Sequence, residues 1–168
     1  MLLPTKFKFE TMSEKNARAA LNWRYKPPYD FYNHDPEKLD ELLHSAFLNP
    51  AYRYYSVLDE KDTLVAFRCF GEDAQVPGGD YSVDALDMGG GLRPDLTGFG
   101  LGPRIIWAAM EFAMSEFSPH TFRTTVAEFN LRARRACEKV GYVFSQRFVA
   151  THDGIPFVIL IRNTANIG

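Results

Sequence analysis

Cysteine is scarce: the chain has only Cys69 and Cys137. That is too few for the disulfide framework of a small secreted domain, and it suits a reducing compartment. Long apolar runs are missing too, and no stretch reaches membrane-spanning length. The opening MLLPTKFKFE has no basic n-region with an apolar h-region, and no cleavage site. Neither sign of charge is in excess: 19 Lys plus Arg stand against 21 Asp plus Glu, a net charge of −2. Such balance argues against a protein built to neutralise many nucleic-acid phosphates. The histidines His34, His44, His120 and His152 are scattered without metal-ligand spacing, so no metal is expected. The expectation is a cytoplasmic protein with neither a membrane nor a nucleic-acid partner.

What is present is apolar bulk. Hydrophobic residues make up 46% and aromatics 14% of 168 residues, which excludes a disordered chain and allows one domain, residues 1–168, with a real core. Lys6–Glu10 alternates like a strand, and Thr11-Met-Ser-Glu14 matches a capping box that opens a helix through Ala20 to Trp23. After the Pro- and Tyr-dense loop 25–36, Asp35 is placed to cap a second helix with Pro36 at its first position. Leu39, Leu42, Leu43 and Phe47 are its buried stripe. Tyr52–Leu58 and Thr63–Phe70 read as an antiparallel pair around the turn Asp59–Asp62, and Tyr81–Met88 as the next strand. A helix from Pro103 carries Ile106, Met110, Ala113 and Phe117 at core spacing, followed by a strand over Phe122–Glu128. Asn130 caps a fourth helix that ends at Gly141. Val143–Thr151 and Phe157–Ile161 close a hairpin around Asp153-Gly154. The fold class is α+β (α/β), with a central mixed, mostly antiparallel sheet of about seven strands flanked by about four helices.

Residues 88–110, MGGGLRPDLTGFGLGPRIIWAAM, carry the chemistry. A strand, a glycine loop and a helix start in that order make an anion cradle. Gly98, Gly100 and Gly102 let the backbone N–H groups converge, and the helix dipole adds its pull on a phosphate. No lysine follows these glycines, which rejects a Walker A loop; the spacing G-x-G-x-G also fails the dinucleotide fingerprint G-x-G-x-x-G. A third reading is the pyrophosphate loop of an acyl-coenzyme A transferase.

Here the chain resembles the GNAT superfamily of N-acetyltransferases. Leu92-Arg93-Pro94-Asp95 supplies the approach and Thr97-Gly98-Phe99-Gly100-Leu101-Gly102 the loop. A second signature follows downstream, Asn130 and Ala133 with Glu138-Lys139-Val140-Gly141-Tyr142. Two departures stand out. Thr97 replaces the usual Gln or Arg, and Cys137 replaces the tyrosine that protonates the departing thiolate in many members.

The resemblance implies acetyl-CoA as co-substrate and direct attack of a primary amine on its thioester. The amine must be positioned and deprotonated, the oxyanion steadied and the thiolate protonated. It implies cofactor contacts from Leu92, from the loop Thr97–Gly102, and from Arg104 and Asn130. Gly89-Gly90-Gly91 suits a bulge or a close backbone approach where the fourth and fifth strands splay to admit the pantetheine arm. Asp87 and Asp84 are candidates for the general base, on opposite faces if the strand alternates. One would approach the amine and the other pair with a Lys or Arg, and Glu128 is a third candidate. Cys137 is either the acid or a small buried hydrophobe. Tyr29, Asp30 and Tyr32, between the first two helices, would border the acceptor, which is a small-molecule amine or a protein amino group. The competing reading is a non-catalytic acyl-CoA-binding module. Either a monomer or a homodimer fits.

Overall fold

The computed structural model describes residues 1–165 and 167. Its strands are β1 (Lys8–Thr11), β2 (Tyr54–Leu58), β3 (Leu64–Phe70), β4 (Leu86–Leu92), β5 (Thr121–Ala127), β6 (Val143–Val149) and β7 (Pro156–Asn163). They form one sheet in the order β1-β2-β3-β4-β5-β7-β6. The β1–β2, β2–β3, β5–β7 and β6–β7 pairs are antiparallel, and β4–β5 is parallel. Helices α1 (Glu14–Leu21), α2 (Leu39–Leu42), α3 (Leu101–Phe117) and α4 (Leu131–Lys139) complete the expected mixed α+β architecture. None of the described helices is long and apolar enough to cross a membrane.

Local chemistry sets the element ends. The cap of α1 is Ser13, whose hydroxyl accepts from the Asn16 N–H at 3.1 Å. Thr11, the expected cap, is instead the last residue of β1, paired with Tyr55, so the chain turns only two residues later. Asp35 does cap the next helical stretch, accepting from the Glu37 N–H at 3.0 Å with Pro36 behind it. This stretch runs as a 3-10 turn (Pro36–Lys38), then α2, then a π-turn (Leu43–Phe47) closed by the Leu48 N–H on the Leu43 carbonyl at 2.9 Å. Leu43 and Phe47 of the predicted stripe are buried, while Leu39 and Leu42 are half-buried.

Two expected boundaries move. Tyr81–Ala85 is not strand, and β4 begins at Leu86 and runs through the three glycines to Leu92. The Tyr81 hydroxyl accepts from the Val76 N–H at 2.9 Å and meets Thr125 Oγ1 at 2.8 Å. The Arg123 guanidinium lies 4.9 Å from the centre of the Tyr81 ring. These side-chain bonds hold the segment as a loop. Helix α3 likewise starts at Leu101, which puts Pro103 at its third position. Proline is tolerated there because first-turn N–H groups have no intrahelical acceptor.

The chain groups into two compact units, Met1–Cys69 with Gly90–Leu101 and Phe70–Gly89 with Gly102–Gly168. The first centres on Leu21, Leu43, Phe47, Val57 and Val65, and the second on Phe70, Ile105, Met110, Phe122, Ile159 and Leu160, all buried. Each such side chain contributes about 1.5–3 kcal/mol by leaving water.

Candidate active site

The first half of β4 is organised by charge. Asp87 is 3% exposed and lies beside Arg123 of β5 in the parallel register. Its Oδ1 accepts from Arg123 Nε at 2.6 Å, and its Oδ2 accepts from Arg123 Nη2 and from Gln75 Nε2, each at 2.8 Å. Arg123 also donates Nη1 to the Val83 carbonyl at 2.7 Å. The hydrogen-bonded carboxylate of Asp87 holds the guanidinium above its ordinary range, against the opposing effect of burial. Three donors thus engage the Asp87 carboxylate, so Asp87 is the member of the expected pair that binds an arginine. Asp84 is exposed and precedes β4, so the premise that the two carboxylates alternate along one strand does not hold. Glu128, just past β5, forms an ion pair with Arg147, and its carbonyl accepts from Arg134 Nη1 at 3.0 Å. The β4–β5 ladder covers Leu86–Phe122 and Asp87–Arg123, beyond which Thr124 Oγ1 bonds the Met88 carbonyl at 2.9 Å.

The second half of β4 is organised by the lack of side chains. A Cβ on Gly90 would lie 2.2 Å from the Phe67 carbonyl oxygen. One on Gly91 would lie 2.8 Å from the Phe67 ring and 3.1 Å from the Tyr25 hydroxyl. A close backbone approach is therefore present at Gly90, while at Gly91 it is side chains that come close. The Leu92 carbonyl accepts from Tyr25 Oη at 2.8 Å. Arg93 then fixes the exit from the strand. Its N–H donates to the Val65 carbonyl at 2.9 Å and its Nη1 to the Leu64 carbonyl at 2.9 Å, while its Nε reaches Asp95 Oδ1 at 2.7 Å. Hydrogen bonding from Arg93 lowers the Asp95 carboxyl below its ordinary range.

A single 3-10 turn, Pro94–Leu96, follows, and the Thr97 hydroxyl donates to the Pro94 carbonyl at 2.7 Å. Gly98 and Gly100 have φ of 86° and 78°, the left-handed region, with nothing near where a Cβ would stand. Backbone conformation, not space, therefore calls for glycine here. Gly98, Phe99 and Gly100 are exposed, and the chain passes directly into Leu101 and Gly102 of α3. The N–H groups of Leu101 and Gly102 belong to the first turn, where the helix offers them no acceptor. Arg104 is exposed. Gly102 also allows α4 to come near, since a Cβ there would be 3.3 Å from that of Ala136.

On α4 the Asn130 Oδ1 accepts from the Ala133 N–H at 3.0 Å, so the expected cap is in place. Cys137 is a buried thiol on the same helix. The helix ends at Gly141, φ 91°, whose N–H bonds the Glu138 carbonyl at 3.0 Å. Tyr29, Asp30 and Tyr32 form a 3-10 turn in which Asp30 and Tyr32 are exposed and Tyr29 is half-buried. Asn33 closes this loop, accepting from the Tyr25 N–H at 2.8 Å and donating to the Tyr25 carbonyl at 3.2 Å. Sequence reasoning missed Tyr25, Gln75 and Arg123. Only Tyr25 had a local signal, its place in the aromatic loop.

Solved structures with the same fold include an acetyltransferase of the GNAT family from Bacillus anthracis, at TM-score 0.73 and 13% identity over 96% of each chain. A chimera of the spermidine N-acetyltransferase SpeG from Vibrio cholerae and hSSAT is also similar, at TM-score 0.70 and 17% identity, covering 96% of this chain and 97% of its own. No curated protein matches the chain in sequence. The model of the acetyltransferase (GNAT) family matches residues 17–142, a span that takes in the end of α1, the glycines of β4, the loop into α3, and α4. The chain belongs to the GNAT acetyltransferase family and is an acyltransferase.

Proposed function

We infer that the protein is a single-domain cytoplasmic N-acetyltransferase, in which the primary amine of a small molecule or protein attacks the thioester of acetyl-CoA directly. The observation that carries this reading is the glycine loop, two left-handed glycines leading from β4 straight into the first turn of a 17-residue helix. Main-chain N–H groups at a helix start bind a pyrophosphate without needing a side chain, which accommodates Thr97 in place of Gln or Arg. Leu92, Thr97–Gly102, Arg104 and Asn130 would hold the cofactor.

Among the carboxylates, Asp84 supports the base role best, because Asp87 and Glu128 already carry arginine partners. The burial of Cys137 favours a packing role, leaving water or a substrate group as the proton donor to the thiolate. Tyr29, Asp30 and Tyr32 would face the amine. Exposed aromatics beside a carboxylate attract an ammonium group before its deprotonation.

Calorimetric titration with acetyl-CoA, CoA, ATP and NAD tests the cofactor, using wild type and Gly100→Trp. Binding of the two coenzyme A species alone, lost in the variant, supports the cradle. A well-folded wild type that ignores acetyl-CoA would sink the reading. Thiol release across an amine panel that includes spermidine then identifies the acceptor class.

A further inference from the structure

We propose that Tyr25 sets the length of acyl group the enzyme accepts, by holding its ring against the glycine face of β4 so that an acetyl group fits and a longer chain does not. This rests on the transferase reading above and concerns the donor end of that site.

The space beside Gly91 is already taken. Even one added carbon there would meet the Phe67 ring at 2.8 Å and the Tyr25 hydroxyl at 3.1 Å. Phe67 cannot easily withdraw, since its ring sits 5.1 Å from Phe47, 5.9 Å from Trp23 and 6.1 Å from Tyr54, with Phe47 and Tyr54 themselves 4.4 Å apart. Phe47 and Tyr54 are buried, which makes this wall part of the core rather than a mobile flap. Tyr25 is the member of the wall tied to β4 itself, through its hydroxyl on the Leu92 carbonyl at 2.8 Å. Its own backbone is clamped at both the N–H and the carbonyl by Asn33. A ring fixed at its tip and at its backbone makes a rigid stop. By resemblance, Leu92 main-chain groups pair with the pantetheine arm and a nearby N–H polarises the thioester carbonyl, so a stop bonded to Leu92 stands close to the acyl group of the proposed complex.

Titration of wild type, Tyr25→Ala and Tyr25→Phe with CoA, acetyl-CoA and hexanoyl-CoA tests the proposal. The acetyl-to-hexanoyl affinity ratio is read within each variant, so that a general change in affinity cancels. Wild type is expected to favour acetyl-CoA by about tenfold or more, and Tyr25→Ala to bring the two within about threefold. Tyr25→Phe keeps the ring and loses the tether, and its ratio is expected to fall between the two. If Tyr25→Ala does not fold, the ratio of Tyr25→Phe decides. A wild type that binds both donors equally overturns the proposal, as do variants that keep the wild-type ratio. A wild type that binds none of the three ligands, CoA included, overturns the transferase reading itself, which sets that failure apart from the first.

Discussion

The two halves of β4 solve opposite problems. Leu86–Met88 is held by side chains, with Asp87 locked to Arg123 and Gln75 and the Met88 carbonyl bonded by Thr124. Gly89–Gly91 has no side chains to hold, and at Gly90 and Gly91 it is shaped by what lies against the bare backbone. The difference teaches where chemistry belongs. A buried carboxylate that accepts three hydrogen bonds from Arg123 and Gln75 anchors its strand. A bare backbone lets Phe67 and Tyr25 come close at Gly90 and Gly91, and the open space lies further on, around the left-handed Gly98 and Gly100.

Removing the anchor should have the largest effect. Asp87→Ala leaves the Arg123 guanidinium buried without its counter-charge, a loss of about 3–5 kcal/mol to be read by urea denaturation. A loss below 1 kcal/mol would mean that the pair is not what holds the first half of β4. On the glycine side, Gly100→Ala meets no neighbour and is expected to destabilise by only about 1–2 kcal/mol through the left-handed conformation. Relaxation of the loop out of that conformation is expected to weaken acetyl-CoA binding, because it turns the N–H groups away from one another. Intact stability with intact binding would remove the loop from the site.

Two smaller, pH-dependent effects sharpen the contrast. Burial, and then the Arg24 charge, lowers the pKa of His34 from its usual 6.5. The unfolded chain therefore takes up the proton first, and stability is expected to fall as pH drops below 6.5 toward the folded value. Denaturation of wild type and His34→Gln between about pH 7.5 and about pH 5.5, roughly one unit to either side of the unperturbed value, reads this as a slope that the variant lacks. The smallest effect belongs to Asp95, mostly exposed beside Arg93. Its lowered pKa adds stability above 3.8 that disappears as pH falls through the folded value. Asp95→Asn should cost under about 1 kcal/mol at neutral pH, because solvent screens the pair, and nothing in strong acid. A deficit that persists at low pH would show that the ion pair is not its source.

Much of the frame was legible because its causes are local. Asp35, Asn130 and Gly141 mark element ends through bonds to residues two to four positions away, and all three act as the pattern predicted. The departures have non-local causes. Tyr81–Ala85 alternates like a strand, yet Thr125 and Arg123, more than 35 positions along the chain, hold it as a loop. Thr11 fits a capping box as well as Ser13 does, and only its pairing with Tyr55 decides between them. In the candidate site the glycine loop was readable, since positive φ is a property of single residues. The assignment of Asp87 was not, since its partner comes from β5.

By itself the sequence determined the order of strands and helices, the family signature and the glycines that free the backbone, because periodicity, capping and φ act over a few residues. Only the tertiary structure decided which carboxylate is anchored and which is exposed, and that Tyr25 reaches the Leu92 carbonyl across 67 positions. Those outcomes depend on which strands become neighbours, and no local pattern encodes a pairing made between distant segments once the core has closed.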